Sequence, residues 1–185
     1  PKADCLPEER ITRGFNYPDT SVLKSESDLS SLGIKTYFCS NVSCAYKRDV
    51  FDALGGFTDK TIFNEDMICA CSVIKAGYKI SYTADAGVYH SHNYTAKQQF
   101  RRNVDIGISQ ALHPEVFSGL SSESEGKKLV KTTVRELRKN GHAGRIPGYL
   151  WTTGCRYAGF LIGKNHRHFP KGFIKKVSMN PGFFG

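Results

Sequence analysis

Two adjacent carboxylates, Glu65 and Asp66, are the residues of this sequence best suited to acid–base chemistry. They open a predicted helix: Asn64 is a good N-cap candidate, an apolar run from 67 to 74 follows at helical spacing, and Gly77 ends the pattern. A carboxylate held at a fixed position can remove a proton from a bound hydroxyl group. The plainer interpretation is that acidic residues in a first helical turn only complement the helix dipole.

A glycine pair followed by an aromatic residue, Gly55-Gly56-Phe57, stands shortly before the acidic pair. Two successive glycines predict a tight, mobile turn. A mobile turn that precedes fixed carboxylates suits a site that closes over a substrate and then removes a proton. Taken alone, the glycine pair is only a turn.

Two histidines, His90 and His92, end a predicted strand that covers residues 86–92. Because side chains alternate along a strand, both imidazoles are predicted on the same side. Two imidazoles in this arrangement can bind a metal ion or a phosphate group. The alternative is a pair of solvated histidines at a strand end.

Two arginines, Arg101 and Arg102, fall in the first half of a long helix predicted to begin at Thr95. Guanidinium groups suit bidentate recognition of phosphate. The alternative is a solvated helix face, on which Arg101 pairs with Asp105 at i, i+4. The sequence contains no Asp-x-Asp, so a complete carboxylate site for a divalent cation is not expected within it.

The elements that position these residues follow from hydrophobic periodicity. Strand, helix and strand in succession predict α/β layering. The polar first 33 residues, broken by proline and glycine, are interpreted as a largely irregular arm with short pieces of order. The predicted strands are 34–46 (interrupted near Ser40-Asn41), 78–83 and 86–92, and the predicted helices are 47–54, 65–76, 95–112, 126–139 and 147–162.

Composition narrows the class of protein. The chain has 185 residues, 39% of them hydrophobic, and a formal net charge of +9. These values are typical of one globular domain with an anionic partner: nucleic acid, anionic lipid or a phosphorylated substrate. No apolar run reaches the roughly 18 residues of a membrane span. The six cysteines lack a Cys-x-x-Cys spacing, which favours free, buried thiols in a reducing cytosol over a zinc site.

A series of short motifs gives a more specific indication. They are Phe38-Cys39-Ser40-Asn41, Tyr46-Lys47-Arg48-Asp49-Val50-Phe51, Leu54-Gly55-Gly56-Phe57, Asn64-Glu65-Asp66, Gly77-Tyr78, Ala86-Gly87-Val88-Tyr89-His90-Ser91-His92-Asn93-Tyr94-Thr95 and Gln99-Phe100-Arg101-Arg102. Each is weak alone, but their order and spacing resemble the C-terminal half of family 2 glycosyltransferases. The likeness is greatest to the bacterial rhamnosyltransferases of surface-polysaccharide assembly, and it runs from about Arg10 to the C-terminus.

The resemblance implies a GT-A fold and an inverting displacement at the sugar anomeric carbon. Asp66 matches the general base for the acceptor hydroxyl, and Glu65 is expected to help hold the acceptor. The loop Gly55-Gly56-Phe57 matches the segment that lines the acceptor site.

The resemblance also implies a donor site. His90 matches a histidine at the metal–diphosphate group, with His92 as the second choice. Arg101 and Arg102 match a basic helix near the diphosphate. The expected cofactor is Mg²⁺ or Mn²⁺, with further ligands from a nucleotide-binding half that this sequence lacks. Without that half we expect the chain to be inactive.

The sequence therefore predicts an α/β protein: the acceptor-side half of a GT-A domain with a short mixed sheet (1–113), followed by a helical, basic C-terminal extension (114–185). The expected reaction moves L-rhamnose from a nucleotide-diphosphate donor to a glycan or lipid-linked acceptor. The basic tail from Lys164 predicts peripheral contact with an anionic membrane, at the cytoplasmic face of the cell membrane, and is expected to be dispensable for the fold.

Two alternatives use the same residues differently. The net charge and the aromatic, basic stretch 160–173 are also typical of a non-catalytic binding module for anionic glycan, lipid or nucleic acid. Against nucleic acid, the charge is spread along the chain and no motif for RNA or DNA is present. The second alternative is a partner subunit that keeps the transferase scaffold without turnover.

Overall fold

The structure is a computed structural model, and it describes residues 1–120 and 122–185, the side chains of residues 122 and 123 excepted. The described part is mostly helical, with one small sheet. The helices are α1 (Pro7–Asn16), α2 (Leu29–Leu32), α3 (Arg48–Ala53), α4 (Glu65–Lys75), α5 (Ala96–Leu112), α6 (Pro114–Phe117), α7 (Ser122–Lys139), α8 (Ile146–Lys164) and α9 (Lys171–Val177), and the strands are β1 (Val22–Lys24) and β2 (Ile80–Tyr82).

The sheet is smaller than predicted and is not mixed. Strand β1 pairs antiparallel with β2, with Leu23 opposite Ser81, and no other strand occurs among the described residues. This arrangement is compatible with a fragment of an α/β fold. Of the three predicted strands, only 78–83 is confirmed, as β2.

The predicted strand 34–46 is wrong. Residues Gly33–Tyr37 form a 3₁₀ turn instead, with Gly33 at a φ of 54°. The turn buries Ile34 and Tyr37 in a cluster with α4, and this packing outweighs the preference of β-branched and aromatic residues for strands. The predicted strand 86–92 is irregular, and no strand lies beside it in the described part of the chain.

The N-terminal arm is more ordered than predicted. Pro7 stands in the first turn of α1, where its missing N–H costs nothing, and Glu8 and Glu9 complement the helix dipole. Glu8 also accepts two hydrogen bonds from Arg145, at 2.8 and 2.9 Å. The arm is thereby fastened to the turn that precedes α8.

The helices between residues 47 and 164 are confirmed. The clearest case is α5, which begins next to Thr95 as the sequence predicts. The structure adds a capping box there: the Thr95 hydroxyl accepts from Gln98 N, and the Gln98 side chain accepts from Thr95 N at 2.9 Å. Gly77, at a φ of 83°, ends α4. Among the described residues, no helix has the length and apolarity required to cross a bilayer.

Helices α5 and α8 are in direct backbone contact through glycines. A Cβ atom added at Gly159 would overlap the carbonyl oxygen of Phe100, and one added at Gly163 would overlap that of Val104. The matched spacing shows that the two helices run in the same direction. Because the small residues of α8 face α5, its large residues Trp151 and Tyr157 are left exposed.

The C-terminal tail is bound to the centre of the fold. The Asp105 carboxylate on α5 is fully buried and accepts from Met179 N and Asn180 N, both at 3.1 Å. Ile174 of α9 packs on Val104 and Ile108. The tail is therefore part of the core, which argues against the expectation that it is dispensable for the fold. The proposed division at residue 113 stays a prediction.

Candidate active site

The acidic pair lies at the start of α4, after an unusual turn. Asn64 occupies the N-cap position, but it has left-handed dihedrals (φ 63°, ψ 23°) and its side chain caps nothing. The predicted N-cap position of Asn64 is confirmed, but the side-chain hydrogen bond typical of such a cap is absent. The turn is held by Thr61, whose hydroxyl donates to Phe63 O at 2.6 Å and lies 3.0 Å from the Ser109 hydroxyl on α5. Left-handed backbone at a residue other than glycine is uncommon and often marks a functional site.

Asn41 connects the two carboxylates. Its backbone N–H donates to Asp66 Oδ2 at 3.4 Å, and its side-chain Nδ2 donates to Glu65 Oε1 at 3.1 Å. The Asn41 Oδ1 atom accepts in turn from the Tyr46 hydroxyl at 2.7 Å. The loop from Cys39 to Tyr46 is thus fixed across the start of α4.

The environment of Asp66 makes it a stronger base than an ordinary aspartate. Burial, followed by the negative charge of Glu65, raises its pKa above the usual 3.8, although hydrogen bonds from Met67 N and Asn41 N oppose the shift. A raised carboxyl pKa brings the proton affinity closer to that needed for removing a hydroxyl proton near neutral pH.

The glycine loop joins the same site through aromatic contacts. Gly55 and Gly56 have φ values of 81° and 68°, a region that favours glycine. Phe57 packs edge-on against Phe51, with ring centroids 4.9 Å apart, and against Tyr46 at 5.3 Å. The structure therefore links the loop, through Tyr46 and Asn41, to the acidic pair.

A cavity of about 1210 Å³ lies beside this loop. Asn41 and Tyr46 line it on one side, and Arg10, Arg13 and His90 line it elsewhere. Glu65 and Asp66 are not among its lining residues. Asn41, which does line the cavity, contacts both carboxylates and connects them to it.

The two predicted histidines are neighbours, although the strand that predicted them is absent. Their ring centroids are 4.5 Å apart in an edge-to-face arrangement, and His92 stacks on Tyr94 at 4.7 Å. Burial is the largest cause that lowers the pKa of each imidazole, and the positive charge of Arg13 adds to it. The lowered pKa favours the neutral form of both imidazoles at pH 7.

These histidines do not make a cation site on their own. Across residues 1–120 and 122–185, no group of three or more His, Cys, Asp or Glu side chains converges in a way that would hold a metal ion. Arg13 and Lys2 also lie close enough to lower the pKa of His90. Mg²⁺ prefers oxygen ligands, so the described residues do not fit it.

The two predicted arginines separate. Arg101 Nε donates to Ser178 O at 2.9 Å and so holds the C-terminal tail. The Arg102 guanidinium instead lies over the Phe63 ring, 4.3 Å from its centroid. Burial lowers the pKa of Arg102, and the positive charges of Arg156 and Arg13 contribute to the shift. The negative charge of Asp66 opposes this shift. An added anion would further stabilise this half-buried cation, which has two other cations near it.

Sequence reasoning missed Asn41 and Arg13 as site residues. Asn41 lies within one of the motifs, but nothing in its local sequence shows that it reaches a helix start 24 residues later. Arg13 lies in the arm that the sequence predicts to be irregular. The acidic first turn of α1 is the signal that could have placed it on a helix.

The whole chain aligns with two curated proteins. It is 41% identical to the O-antigen chain rhamnosyltransferase WbaN of Salmonella anatum and 40% identical to the O-antigen chain rhamnosyltransferase RfbN of Salmonella typhimurium strain LT2, over 187 aligned positions each. The chain spans 58% of the length of the first relative and 59% of the second. No protein-family model matches the chain, and no solved structure matches it significantly. Over its whole length, the chain is thus a homologue of part of the O-antigen chain rhamnosyltransferases, which confirms the resemblance to bacterial rhamnosyltransferases.

Proposed function

We propose that this chain carries the acceptor site and the general base of an inverting, family 2 glycosyltransferase with a GT-A fold. The reaction moves L-rhamnose from a dTDP-activated donor to the growing O-antigen glycan or its lipid-linked precursor. The names of the two relatives support the transferred sugar and the pathway. They also favour this function over a binding module for nucleic acid.

The observation that carries the proposal is the half-buried, hydrogen-bonded pair Glu65 and Asp66. A sugar hydroxyl is a poor nucleophile, so a base must take its proton as the new glycosidic bond forms. Asp66 has the raised pKa that this step requires, and one of its oxygens faces Asn41 beside the cavity. Glu65, fixed by the Asn41 side chain, is suited to accept a hydrogen bond from the acceptor.

The departing nucleoside diphosphate develops negative charge that fixed cations stabilise. In the proposed site Arg102 supplies one such cation, supported by Arg13 and Arg156, with neutral His90 and His92 as hydrogen-bond donors. Arg101 has no part in this because its guanidinium binds Ser178. A divalent cation, Mg²⁺ or Mn²⁺, is part of the proposal only if carboxylate ligands outside the described residues hold it.

Peripheral contact with the cytoplasmic face of the membrane is the second part of the proposal. Large apolar side chains on the outer face of α8 are exposed, Trp151 by 71% and Tyr157 by 53%. The tail adds half-exposed Phe169 and Phe173 among exposed lysines. Aromatic and basic side chains together suit an anionic bilayer surface, at about 1 kcal/mol for each basic residue near it.

The donor is tested on the protein expressed from its complete coding sequence. Purified protein is incubated with O-antigen acceptor, Mg²⁺ or Mn²⁺, and one nucleotide-sugar at a time. We expect acceptor-dependent release of nucleoside diphosphate from dTDP-L-rhamnose and little from the glucose, galactose or mannose donors. Equal release from several donors would contradict rhamnose specificity, and release from none would contradict glycosyl transfer.

The membrane contact is tested by co-sedimentation with liposomes that contain phosphatidylglycerol. Replacement of exposed Lys171, Lys175 and Lys176 by glutamate should reduce binding at low salt. The same change at Lys127, Lys128 and Lys131 on α7 is the matched control. Equal co-sedimentation of both triple variants and the parent would exclude a specific role for the tail.

A further inference from the structure

Two cysteines face each other across the loop that contacts the acidic pair. The Sγ atoms of Cys39 and Cys44 are 3.3 Å apart. They flank a turn closed by a hydrogen bond from Ser43 N to Ser40 O at 3.2 Å, and such a turn brings the residues on its two sides together. Cys44 is exposed and Cys39 is half-buried, so one thiol is open to reagents in solution.

We propose that Cys39 and Cys44 form a modification site, at which a low-molecular-weight disulfide such as oxidised glutathione converts the two thiols into a reversible disulfide. The linkage moves Asn41 relative to Asp66. The consequence of this movement for catalysis rests on the proposed function, whereas the formation of the disulfide does not.

The chemistry balances as two thiol–disulfide exchanges. Cys44 loses its proton to solvent and attacks one sulfur of oxidised glutathione, which forms a mixed disulfide and releases a glutathione thiolate that takes up a proton. Cys39 then loses its proton and attacks the Cys44 sulfur, releasing the second glutathione in the same way. One disulfide is reduced to two thiols while two protein thiols are oxidised.

The environments of the two thiols set this order. Burial and the neighbouring Cys44 thiol raise the pKa of Cys39 to about 12, so its thiolate is scarce at neutral pH. Cys44, which is exposed, is therefore the entry point. Cys39 reacts second, when the mixed disulfide has placed an electrophilic sulfur beside it.

The linkage changes the site because Asn41 lies inside the loop that it closes. A disulfide bond is about 2.05 Å long, so the two sulfurs must approach by roughly 1 Å from their 3.3 Å separation. The contact from Asn41 N to Asp66 Oδ2 is already long at 3.4 Å. A small displacement of the turn weakens this contact and alters the proton affinity of Asp66.

The experiment uses the reduced 185-residue chain and oxidised glutathione at neutral pH. Peptide mapping by mass spectrometry without reduction should find Cys39 joined to Cys44, about tenfold more abundant than any other linked pair, and dithiothreitol should reverse it. The Asp66 carboxyl signal, followed by NMR titration, should shift on oxidation. Cys44→Ser should abolish both changes, and Cys5→Ser should leave both.

The outcomes separate the parts of the proposal. A stable glutathione adduct on Cys44, or linkage of other cysteines at equal yield, overturns the dithiol site. Linkage without a change at Asp66 overturns its effect on the active site. If circular dichroism shows that Cys44→Ser is unfolded, Cys44→Ala takes its place. The peptide mapping of the parent chain depends on neither variant and tests the dithiol site by itself. Failure of the complete protein to transfer sugar would contradict the proposed function and leave both readouts unaffected.

Discussion

The backbone N–H of Asn41 points at Oδ2 of Asp66 over 3.4 Å, from a loop that lies 25 residues earlier in the chain. The Asn41 side chain at the same time holds Glu65. One residue thus positions both carboxylates at the start of α4. The acidic pair is therefore held from outside its own helix, which a helix-dipole role alone does not require.

Replacement of Asn41 by alanine should separate these two contacts. The backbone contact to Asp66 remains, while Glu65 loses its donor. Because Glu65 is proposed to bind the acceptor, we expect the acceptor KM to rise about tenfold, with a smaller change in kcat. Steady-state kinetics of the complete protein provide the measurement. Asn140→Ala, at the end of α7, is the control, and equal effects of the two variants would show that Asn41 has only a structural role.

The pH dependence of transfer should report the Asp66 carboxyl. Its pKa is raised, so the base becomes protonated, and transfer is lost, as pH falls through a value above the ordinary 3.8 of aspartate. The acid limb of kcat/KM against pH gives that value directly. A limb at or below 3.8 would contradict the raised pKa.

The same shift predicts an effect of Asp66 on stability. A raised pKa means that the folded state binds the proton more tightly than the unfolded state, so the contribution to stability is full below pH 3.8 and is lost as pH rises through the folded-state pKa. Asp66→Asn should therefore unfold at a higher temperature than the parent at pH 7, and the difference should shrink towards pH 3.8. Thermal unfolding at several pH values tests this, and a lower melting temperature at pH 7 would contradict it.

The contact between α5 and α8 should not tolerate a side chain. Gly163→Ala places a Cβ atom against Val104 O, and neither backbone can move alone, so we expect a loss of about 3 kcal/mol. Gly154→Ala, on the exposed side of the same helix with nothing within 4 Å, should stabilise by about 1 kcal/mol. Urea unfolding of both variants measures the two values. Equal stability of the two would show that the helices do not meet in this way.

The buried carboxylate of Asp105 should be needed for the tail to bind. Alanine leaves Met179 N and the Asn180 side-chain Nδ2 without an acceptor, which costs about 2–4 kcal/mol. Asp52→Ala, which removes an exposed ion pair with Arg48, should change stability by less than about 1 kcal/mol. Hydrogen exchange of residues 174–180 should increase only in the Asp105 variant. Unchanged protection would contradict the proposed anchoring.

The sequence was informative where a single element carries its own signal. Helix α5 has apolar residues at helical spacing, which were visible without tertiary information, whereas its capping box at Thr95 was recognised from the structure. The strand 34–46 failed because its preference for extended backbone is weaker than the burial that Ile34 and Tyr37 gain in a 3₁₀ turn against α4.

The candidate site was predictable in its residue types but not in its connections. Adjacent residues on a helix point about 100° apart, and the sequence alone does not say whether Arg101 and Arg102 bind at one site or at two. Their separation depends on the tail and on Phe63, which lie far away in sequence. The role of Asn41 likewise depends on a contact between two distant segments.

Replacement of Asp66 by asparagine, measured as rhamnose transfer and donor binding in the complete protein, tests the central claim most directly. Loss of the general base should lower kcat by about 10²–10⁴-fold and leave the Kd for the donor nucleotide unchanged. Asp49→Asn, at the exposed first turn of α3, should transfer at the parental rate. Transfer by Asp66→Asn within about threefold of the parent, a difference of less than 1 kcal/mol, would remove Asp66 from the mechanism.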